Sequence, residues 1–260
     1  MATTNNVTDY DKIIEKLFFN KFNNSKKMTE LEFSKDEIVS IGKKLRLNIR
    51  NVPDIVYTYR SRRDLPKSIR DKGNWAINPK GKGKFSFIKL NRSPFVIIQE
   101  GLSKIKILNS LPEIVEKYSS NDEQSLLSNL RYNRLLDIFT GITCFHLQSH
   151  VRCTVRGEGQ IEIDDLYVGI NKEGREYIIP VEAKSVEDRD KLGWVQITNL
   201  VKFAHQYYPK LKCLPIAVKP GSRSLIYLIE FDESIDFNKI AIKNIKLYHL
   251  IRIKEKDRLD

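Results

Sequence analysis

The chain has 260 residues, of which 41% are hydrophobic and 30% are charged, and it carries a formal net charge of +12. This composition is sufficient for one large folded domain or two small ones. The chain contains no apolar run near the ~20 residues of a membrane span, and its three cysteines and polar N-terminus argue against a disulfide-rich secreted protein and favour a reducing compartment.

The N-terminal third is predicted to be mainly helical. Residues Asp9–Phe22 carry apolar side chains at helical spacing, which predicts an amphipathic helix within an N-terminal arm, residues 1–30, that packs in the core or against a second copy. Ser34 followed by Glu37 predicts the start of another helix through a capping box. A third helix is predicted over Val52–Arg63, because a proline occupies its first turn.

The positive charge is concentrated in one segment. Between Lys43 and Arg92 there are fifteen lysines or arginines and three acidic residues, an excess that equals the formal net charge of the whole chain. A segment this basic favours a polyanion as partner, since neutralising phosphates releases their counterions. A solvated basic surface that aids solubility is the alternative.

Two short apolar runs, Trp75–Ile77 and Phe85–Ile88, are predicted to be strands on either side of a flexible basic tip at Asn78–Lys84. Two helices followed by a basic hairpin resemble a winged-helix module, here over residues 31–95. The resemblance implies double-stranded DNA as the partner, with a helix in the major groove and the hairpin along the phosphates. An ordinary small α/β domain with a basic loop fits the same pattern. The implied DNA-binding residues are Arg60, Arg62, Arg63, Lys80, Lys82 and Lys84.

The rest of the chain predicts a second domain. Residues 96–114 are expected to be a linker with some β-structure, and residues 115–260 to be the domain itself. A long helix is predicted from Asp122 to about Leu147, and another over Gly193–Tyr208, which Pro209 follows. The strands predicted after that helix are Leu214–Val218, Leu225–Ile229 and Ile245–Ile253.

Between these two helices lie acidic residues embedded in apolar runs. The segment Gln160–Gly169 contains Asp164 and Asp165, and the segment Pro180–Lys184 contains Glu182. Charged side chains within apolar strands are costly to bury unless they are paired or bound to a metal. An acidic residue on one strand and Glu-x-Lys on the next is an arrangement that holds a divalent cation and an ammonium group beside a phosphodiester. A solvated acidic strand edge beside a surface lysine is the alternative.

The turn between the two segments predicts how they pair. If Asn171–Arg175 closes a three-residue loop that ends at its glycine, Asp164 lies opposite Glu182. Because side chains alternate along a strand, Lys184 then shares that face. A four-residue loop would shift the register by one and bring Asp165 there instead. The glycine, which accepts a positive φ, favours the first register.

These residue types suit metal-assisted hydrolysis. The carboxylates of Asp164 and Glu182, with the carbonyl oxygen of Ala183, are hard ligands that suit Mg²⁺, for which Mn²⁺ can substitute. Carboxylates this close repel each other when no cation lies between them. A divalent cation polarises a phosphate and lowers the pKa of a bound water. Lys184 can orient that water or stabilise charge on the phosphoryl oxygens.

The motif resembles that of the PD-(D/E)xK nuclease superfamily, and the stretch 115–260 looks like a type II restriction endonuclease. The resemblance implies a restriction-endonuclease-like α/β fold, in which helices flank a mixed sheet. It also implies that Asp164, Glu182 and Lys184 are catalytic and that Asp164, Glu182 and Ala183 hold Mg²⁺. The chain departs from the motif at Ile163, where the superfamily pattern has a proline.

The same resemblance suggests auxiliary residues. Many members carry an acidic residue on the helix before the first core strand, and Asp137 and Glu123 are the candidates here, although either could instead be exposed to solvent. The helix after the active-site strand often adds a polar group, which would be Gln196.

The resemblance therefore implies a type II restriction endonuclease of the bacterial cytoplasm that hydrolyses phosphodiester bonds of double-stranded DNA at a specific sequence. Cutting both strands of a symmetric site favours a homodimer. Two alternatives remain open: a repair or mobile-element nuclease that recognises DNA structure, and a non-catalytic winged-helix regulator that binds DNA.

Overall fold

The computed structural model describes residues 7–23, 28–49, 51–99, 101–119, 123–185, 190–222 and 224–252. The chain divides into a first unit, Met1–Val96 with Arg156–Gln160, and a second unit, Ile97–Val155 with Ile161–Asp260. Both units combine helices and strands, so the chain is a mixed α/β protein. Within the part of the chain described, none of the helices is long and apolar enough to cross a membrane.

The first unit packs helices on a three-stranded antiparallel sheet of order β1-β3-β2. The predicted capping box is confirmed, because the Ser34 and Glu37 side chains accept each other's backbone N–H groups at 3.2 and 2.8 Å. The elements are α1 (Asp9–Phe19), β1 (Glu30–Ser34), α2 (Lys35–Lys44), α3 (Val52–Tyr57), a π-helical turn (Thr58–Arg62), α4 (Lys67–Arg70), β2 (Asn74–Gly81) and β3 (Lys84–Leu90).

Helix α1 is part of this unit and not a separate arm over residues 1–30. Its apolar face is buried in the core of the unit, where the ring of Phe18 meets Trp75 and Phe87 edge to face at 5.2 Å. Strand β1, which the sequence analysis did not predict, completes the sheet beside β3. These aromatic side chains and the aliphatic side chains of the same core bury the apolar surface that holds the helices on the sheet.

The β2–β3 hairpin has a tighter turn than predicted. Strand pairing continues to Gly81 and resumes at Lys84, so the turn consists of Lys82 and Gly83 and not of a flexible tip over Asn78–Lys84. Two-residue turns of this kind match the twist of the strands they join.

A close backbone contact holds the second segment of this unit against the hairpin. Gly159 has a φ of +81°, and a Cβ atom at this position would lie 2.4 Å from the Cα atom of Gly81. Gly157 has a similar φ of +83°, but a Cβ atom there would meet nothing within 4 Å. Alanine substitutions at the two positions therefore separate the cost of backbone strain, which both share, from the cost of steric overlap, which arises only at Gly159.

We expect Gly159→Ala to lower the free energy of unfolding by about 2–4 kcal/mol, since overpacking costs about 1–3 kcal/mol in addition to backbone strain of about 1 kcal/mol. Gly157→Ala is the control and should cost about 1 kcal/mol, which is the strain alone. Urea denaturation followed by circular dichroism measures both. Equal losses in the two variants would contradict the close contact at Gly159.

The second unit is built on an eight-stranded mixed sheet of order β4-β11-β10-β9-β7-β6-β5, with β8 paired to β7. Strand β7 is parallel to β9, and β11 is parallel to β4, while the pairs β6–β7, β9–β10 and β10–β11 are antiparallel. The elements are β4 (Lys104–Leu108), α5 (Glu113–Tyr118), α6 (Glu123–Tyr132), α7 (Leu135–Thr140), β5 (Thr143–Val155), β6 (Gly159–Ile170), β7 (Glu176–Ala183), α8 (Trp194–Tyr207), β8 (Lys212–Cys213), β9 (Ile216–Pro220), β10 (Leu225–Phe231) and β11 (Ile242–Ile251).

Two predictions for this unit are corrected. The long helix expected as far as Leu147 is two short helices, because Arg134 between them has a left-handed backbone with φ +50°, and Thr143–Val155 is a strand. Its predicted first residue, Asp122, lies outside the described residues. The expected linker over 96–114 contains β4, which pairs with β11 and so belongs to the sheet.

Leucines of α6 and α7 are buried against one face of this sheet, together with side chains of β7 and β9. Helix α8 contacts β7 and is buried along most of its length. The end of β7 and the middle of β6 beside it therefore lie between α6 and α8, and each of these helices contributes a polar side chain there.

Candidate active site

The β6–β7 hairpin has the register that the glycine in its turn predicts. Asn171 N–H donates to the carbonyl oxygen of Arg175 at 3.1 Å, and Gly174 has a φ of +77°. Pairing runs from Ile170 with Glu176 to Asp165 with Val181, and the next pair in this register is Asp164 with Glu182. The three-residue loop is therefore confirmed, and Asp164 lies across from Glu182.

Asp164 is fixed by the neighbouring strand. Its Oδ2 atom accepts the N–H of Ala183 at 2.7 Å. The backbone hydrogen bond orients the carboxylate beside the segment that carries Glu182 and Lys184, so these groups converge at the end of the hairpin.

Glu182 and Lys184 are in direct contact. The ammonium group of Lys184 donates to Glu182 Oε1 at 2.8 Å, and the Lys184 residue is 3% exposed. From the first turn of α8, Gln196 Nε2 donates to the same Oε1 atom at 2.6 Å. Gln196 also accepts the N–H of Gly193 at 3.1 Å, which fixes its amide at the start of the helix.

Two further acidic residues meet this group. Asp190, in the loop before α8, lies 3.4 Å from the Lys184 ammonium through Oδ1 and accepts the N–H of Ser185 through Oδ2 at 2.8 Å. Glu123, at the start of α6, shares a hydrogen bond with Asp190 and interacts electrostatically with Glu182. We call Asp164, Glu182, Lys184, Asp190 and Glu123 the carboxylate–lysine cluster.

The cluster contains four carboxyl groups and one lysine, so the lysine cannot neutralise all of them in their ionised form. Burial, and next the charge of Glu182, raise the pKa of Asp164 to about 8. Burial, followed by the charge of Asp190, raises the pKa of Glu123 to about 7. Burial by itself lowers the pKa of Lys184, but the carboxylates of Glu182 and Asp190 outweigh it and the pKa is raised. Lys184 is therefore a charged ammonium, and a further cation would relieve the repulsion among the carboxylates.

The donor set fits a hard divalent cation. Carboxylates from paired strands supply the oxygen atoms that Mg²⁺ prefers. The raised pKa of Asp164 means that, without a cation beside it, this buried carboxyl group retains its proton near neutral pH. Among the described residues, no three His, Cys, Asp or Glu side chains are placed together to hold a metal ion. A cation at this position would therefore use Asp164, Glu182 and the carbonyl oxygen of Ala183, and Lys184 would have to release Glu182.

Asp165 has a different environment from its neighbour. It is fully buried, and its carboxylate accepts hydrogen bonds from Ser149 at 2.7 Å and from Tyr167 at 2.8 Å. The guanidinium of Arg131 on α6 donates to both of its oxygen atoms, at 2.6 and 3.1 Å. His146 on β5 lies 3.2 Å away. Asp165 therefore joins α6 and β5 to β6, and it does not take the place of Asp164 opposite Glu182.

Asp137 lies outside the carboxylate–lysine cluster, which corrects its proposed auxiliary role. Its Oδ1 atom accepts the N–H of Cys144 at 3.0 Å and contacts the Arg134 guanidinium, so it closes the turn between α7 and β5. Of the two acidic candidates on the preceding helices, Glu123 is the one that reaches the cluster. Asp190 was missed altogether, because nothing in the loop after β7 has a periodicity that would place one of its side chains.

The residues predicted to bind DNA all lie in the first unit. Arg63 and Lys80 form ion pairs with acidic residues of this unit at 2.7 and 2.6 Å. Arg62 is exposed, and its guanidinium lies over the ring of Tyr57 at 4.7 Å. The remaining three are Arg60, which is half-buried, and Lys82 and Lys84, which are exposed at the β2–β3 turn.

Comparison of this chain with protein-family models, with curated proteins and with solved structures finds no match.

Proposed function

We propose that this protein is a metal-dependent deoxyribonuclease of the PD-(D/E)xK type, acting on double-stranded DNA as a type II restriction endonuclease. The observation that carries the proposal is the register of the β6–β7 hairpin, which sets Asp164 across from Glu182, with Lys184 directly after the end of β7. Buried carboxylates beside a charged lysine suit the hydrolysis of a phosphodiester better than they suit a structural core.

The arrangement of the second unit supports this proposal. A helix, the β6–β7 hairpin, helix α8 and strand β9 occur in the order expected for the nuclease core, with β5 before the hairpin and the two-residue β8 before β9. Strand β9 lies beside β7 in a mixed sheet flanked by helices. In the first unit, α2, α3 and the β2–β3 hairpin occur in the order of a winged-helix module, with the π-helical turn and α4 between α3 and β2. Exposed Lys82 and Lys84 at the hairpin turn suit phosphate contacts.

Each residue of the site has a task in the proposed reaction. Asp164, Glu182 and the carbonyl oxygen of Ala183 would hold Mg²⁺, or Mn²⁺ in its place. When bound, the cation supplies Lewis-acid chemistry, polarising the scissile phosphate and lowering the pKa of water. Lys184 orients the attacking water and stabilises negative charge on the phosphoryl oxygens. Gln196 holds the Glu182 carboxylate in place through its hydrogen bond.

We expect the purified protein to cut plasmid DNA in the presence of Mg²⁺ or Mn²⁺ and to lose this activity completely when EDTA removes the cation, because the carboxylates then have no Lewis acid to position. Agarose gels of the products over a series of cation concentrations measure the effect. Persistent cleavage in EDTA, or none with either cation over a range of DNA substrates, would overturn the proposal.

The products also distinguish the alternatives. Discrete fragments from two unrelated plasmids, with one common sequence at their ends, indicate a restriction endonuclease. Cuts confined to branched or mismatched DNA indicate a nuclease that recognises structure, and binding without cleavage indicates a regulator. Recognition of a symmetric sequence would favour a homodimer, in which each copy cuts one strand.

A further inference from the structure

Asp190 is placed between the backbone after β7 and the Lys184 side chain. One carboxylate oxygen accepts the N–H of Ser185 at 2.8 Å, and the other lies 3.4 Å from the Lys184 ammonium. The Asp190 side chain is 14% exposed, and that of Lys184 is 4% exposed. A buried ammonium group requires acceptors for its charge, and here these are Glu182 and Asp190.

In the proposed reaction, Glu182 has two conflicting tasks. Its Oε1 atom is already bonded to the Lys184 ammonium at 2.8 Å and to Gln196 at 2.6 Å. A carboxylate drawn to a divalent cation loses much of its strength as a partner for an ammonium group, since like charges then compete for the same oxygen. Lys184 consequently needs a second acceptor that does not bind the cation.

We propose that Asp190 is a positioning residue for Lys184: it retains the ammonium group at the site when Glu182 binds the cation. Asp190 suits this task because the Ser185 N–H fixes it in the loop before α8, and not on the strand that carries Glu182. This inference rests on the proposed nuclease function. It assigns Asp190 no contact with the DNA or the cation, and its effect passes through Lys184.

The first test needs neither cation nor cleavage. In ¹⁵N-lysine-labelled protein, a buried and hydrogen-bonded ammonium group gives its own NMR signal, which Lys184→Arg identifies by its loss. Glu182→Gln imitates the withdrawal of Glu182 from Lys184. We expect the signal to persist in Glu182→Gln. In the double variant Glu182→Gln/Asp190→Asn, hydrogen exchange at the Lys184 ammonium should be at least about tenfold faster than in Glu182→Gln, because a charge-assisted hydrogen bond is worth at least that factor.

The second test uses the single Asp190→Asn variant, so the inference stays testable even if the double variant does not fold. Addition of Mg²⁺ should leave the Lys184 signal visible in the parent protein and broaden it beyond detection in Asp190→Asn. The matched control is Asp232→Asn, because Asp232 also accepts loop N–H groups, from Ser234 and Ala241, at 3.0 Å. This control should behave as the parent does.

Cleavage assays give an independent measurement. We expect kcat of Asp190→Asn to fall about 10–100-fold, the usual effect of losing a group that orients a catalytic residue, with KM for DNA unchanged. Equal exchange rates at Lys184 with and without Asp190 would overturn the positioning role and leave the nuclease proposal intact. If the Lys184 signal is lost in Asp190→Asn but the parent protein never cuts DNA, the nuclease proposal is overturned. The contact between Asp190 and Lys184 is then still established.

Discussion

Replacing Lys184 with methionine is expected to slow DNA cleavage about 10²–10³-fold, the effect of removing one group that stabilises charge in a transition state. Methionine keeps most of the buried volume of the side chain and removes the ammonium group. DNA affinity should change little, because Lys184 is 3% exposed and belongs to the second unit, whereas the predicted DNA-binding residues belong to the first. The expected effect is therefore on kcat and not on KM.

Lys243→Met is the matched control for this variant. Lys243 donates to Glu230 at 2.8 Å, the same length as the Lys184–Glu182 contact, but its side chain is 57% exposed. Single-turnover cleavage of a labelled duplex measures the rate, and a gel-shift assay in Ca²⁺ measures binding. A Lys184→Met protein that folds, binds DNA and cleaves at the parent rate would exclude the assigned role of Lys184.

The part of the site that could be predicted lies on one hairpin. Its register depends on local rules, because Gly174 closes a three-residue loop and side chains alternate from there to Asp164 and Glu182. Lys184 follows Glu182 by two residues, directly after the end of β7. Neighbours on a hairpin are set by short-range geometry, so the sequence contains the information that places them.

The part that could not be predicted depends on how distant elements pack. Glu123 reaches the cluster because α6 packs on the sheet, and Asp190 reaches it through its contacts with the Ser185 N–H and the Lys184 ammonium. On a continuous helix Asp137 was a reasonable candidate. The left-handed backbone at Arg134 instead separates α6 from α7, and Asp137 on α7 contacts the first residues of β5. Helical periodicity gave no sign of that break.

The first unit shows the same division. The capping box at Ser34 and the proline after Val52 predict where two helices begin, and α2 and α3 begin at these positions. Strand β1 has five residues, and it pairs with β3 residues that are fifty or more positions away in the chain. Short strands of this kind depend on tertiary packing more than on their own sequence.

Two adjacent aspartates are expected to affect stability in opposite directions. Asp165→Asn should lower the free energy of unfolding by about 3 kcal/mol, since it leaves the Arg131 guanidinium without its carboxylate, and removal of one partner from a buried pair is strongly destabilising. For a unit of this size, that corresponds to a fall in Tm of roughly 6–12 °C. Differential scanning calorimetry at pH 7 measures it, and an unchanged Tm would contradict the structural role of Asp165.

Asp164→Asn should instead stabilise the cation-free protein at alkaline pH. The pKa of Asp164 is raised from 3.8 to about 8 by burial and by the charge of Glu182. Because the folded state binds this proton more tightly than the unfolded state does, the group contributes stability that is complete below about pH 4 and is lost as the pH rises through about 8. Asparagine resembles the protonated acid and can still accept the Ala183 N–H, so the variant should match the parent in Tm at pH 4 and exceed it at pH 9. The Tm of both proteins is measured in EDTA at the two pH values. If the Tm of the parent does not fall relative to that of Asp164→Asn as the pH rises, Asp164 is not buried beside the charge of Glu182.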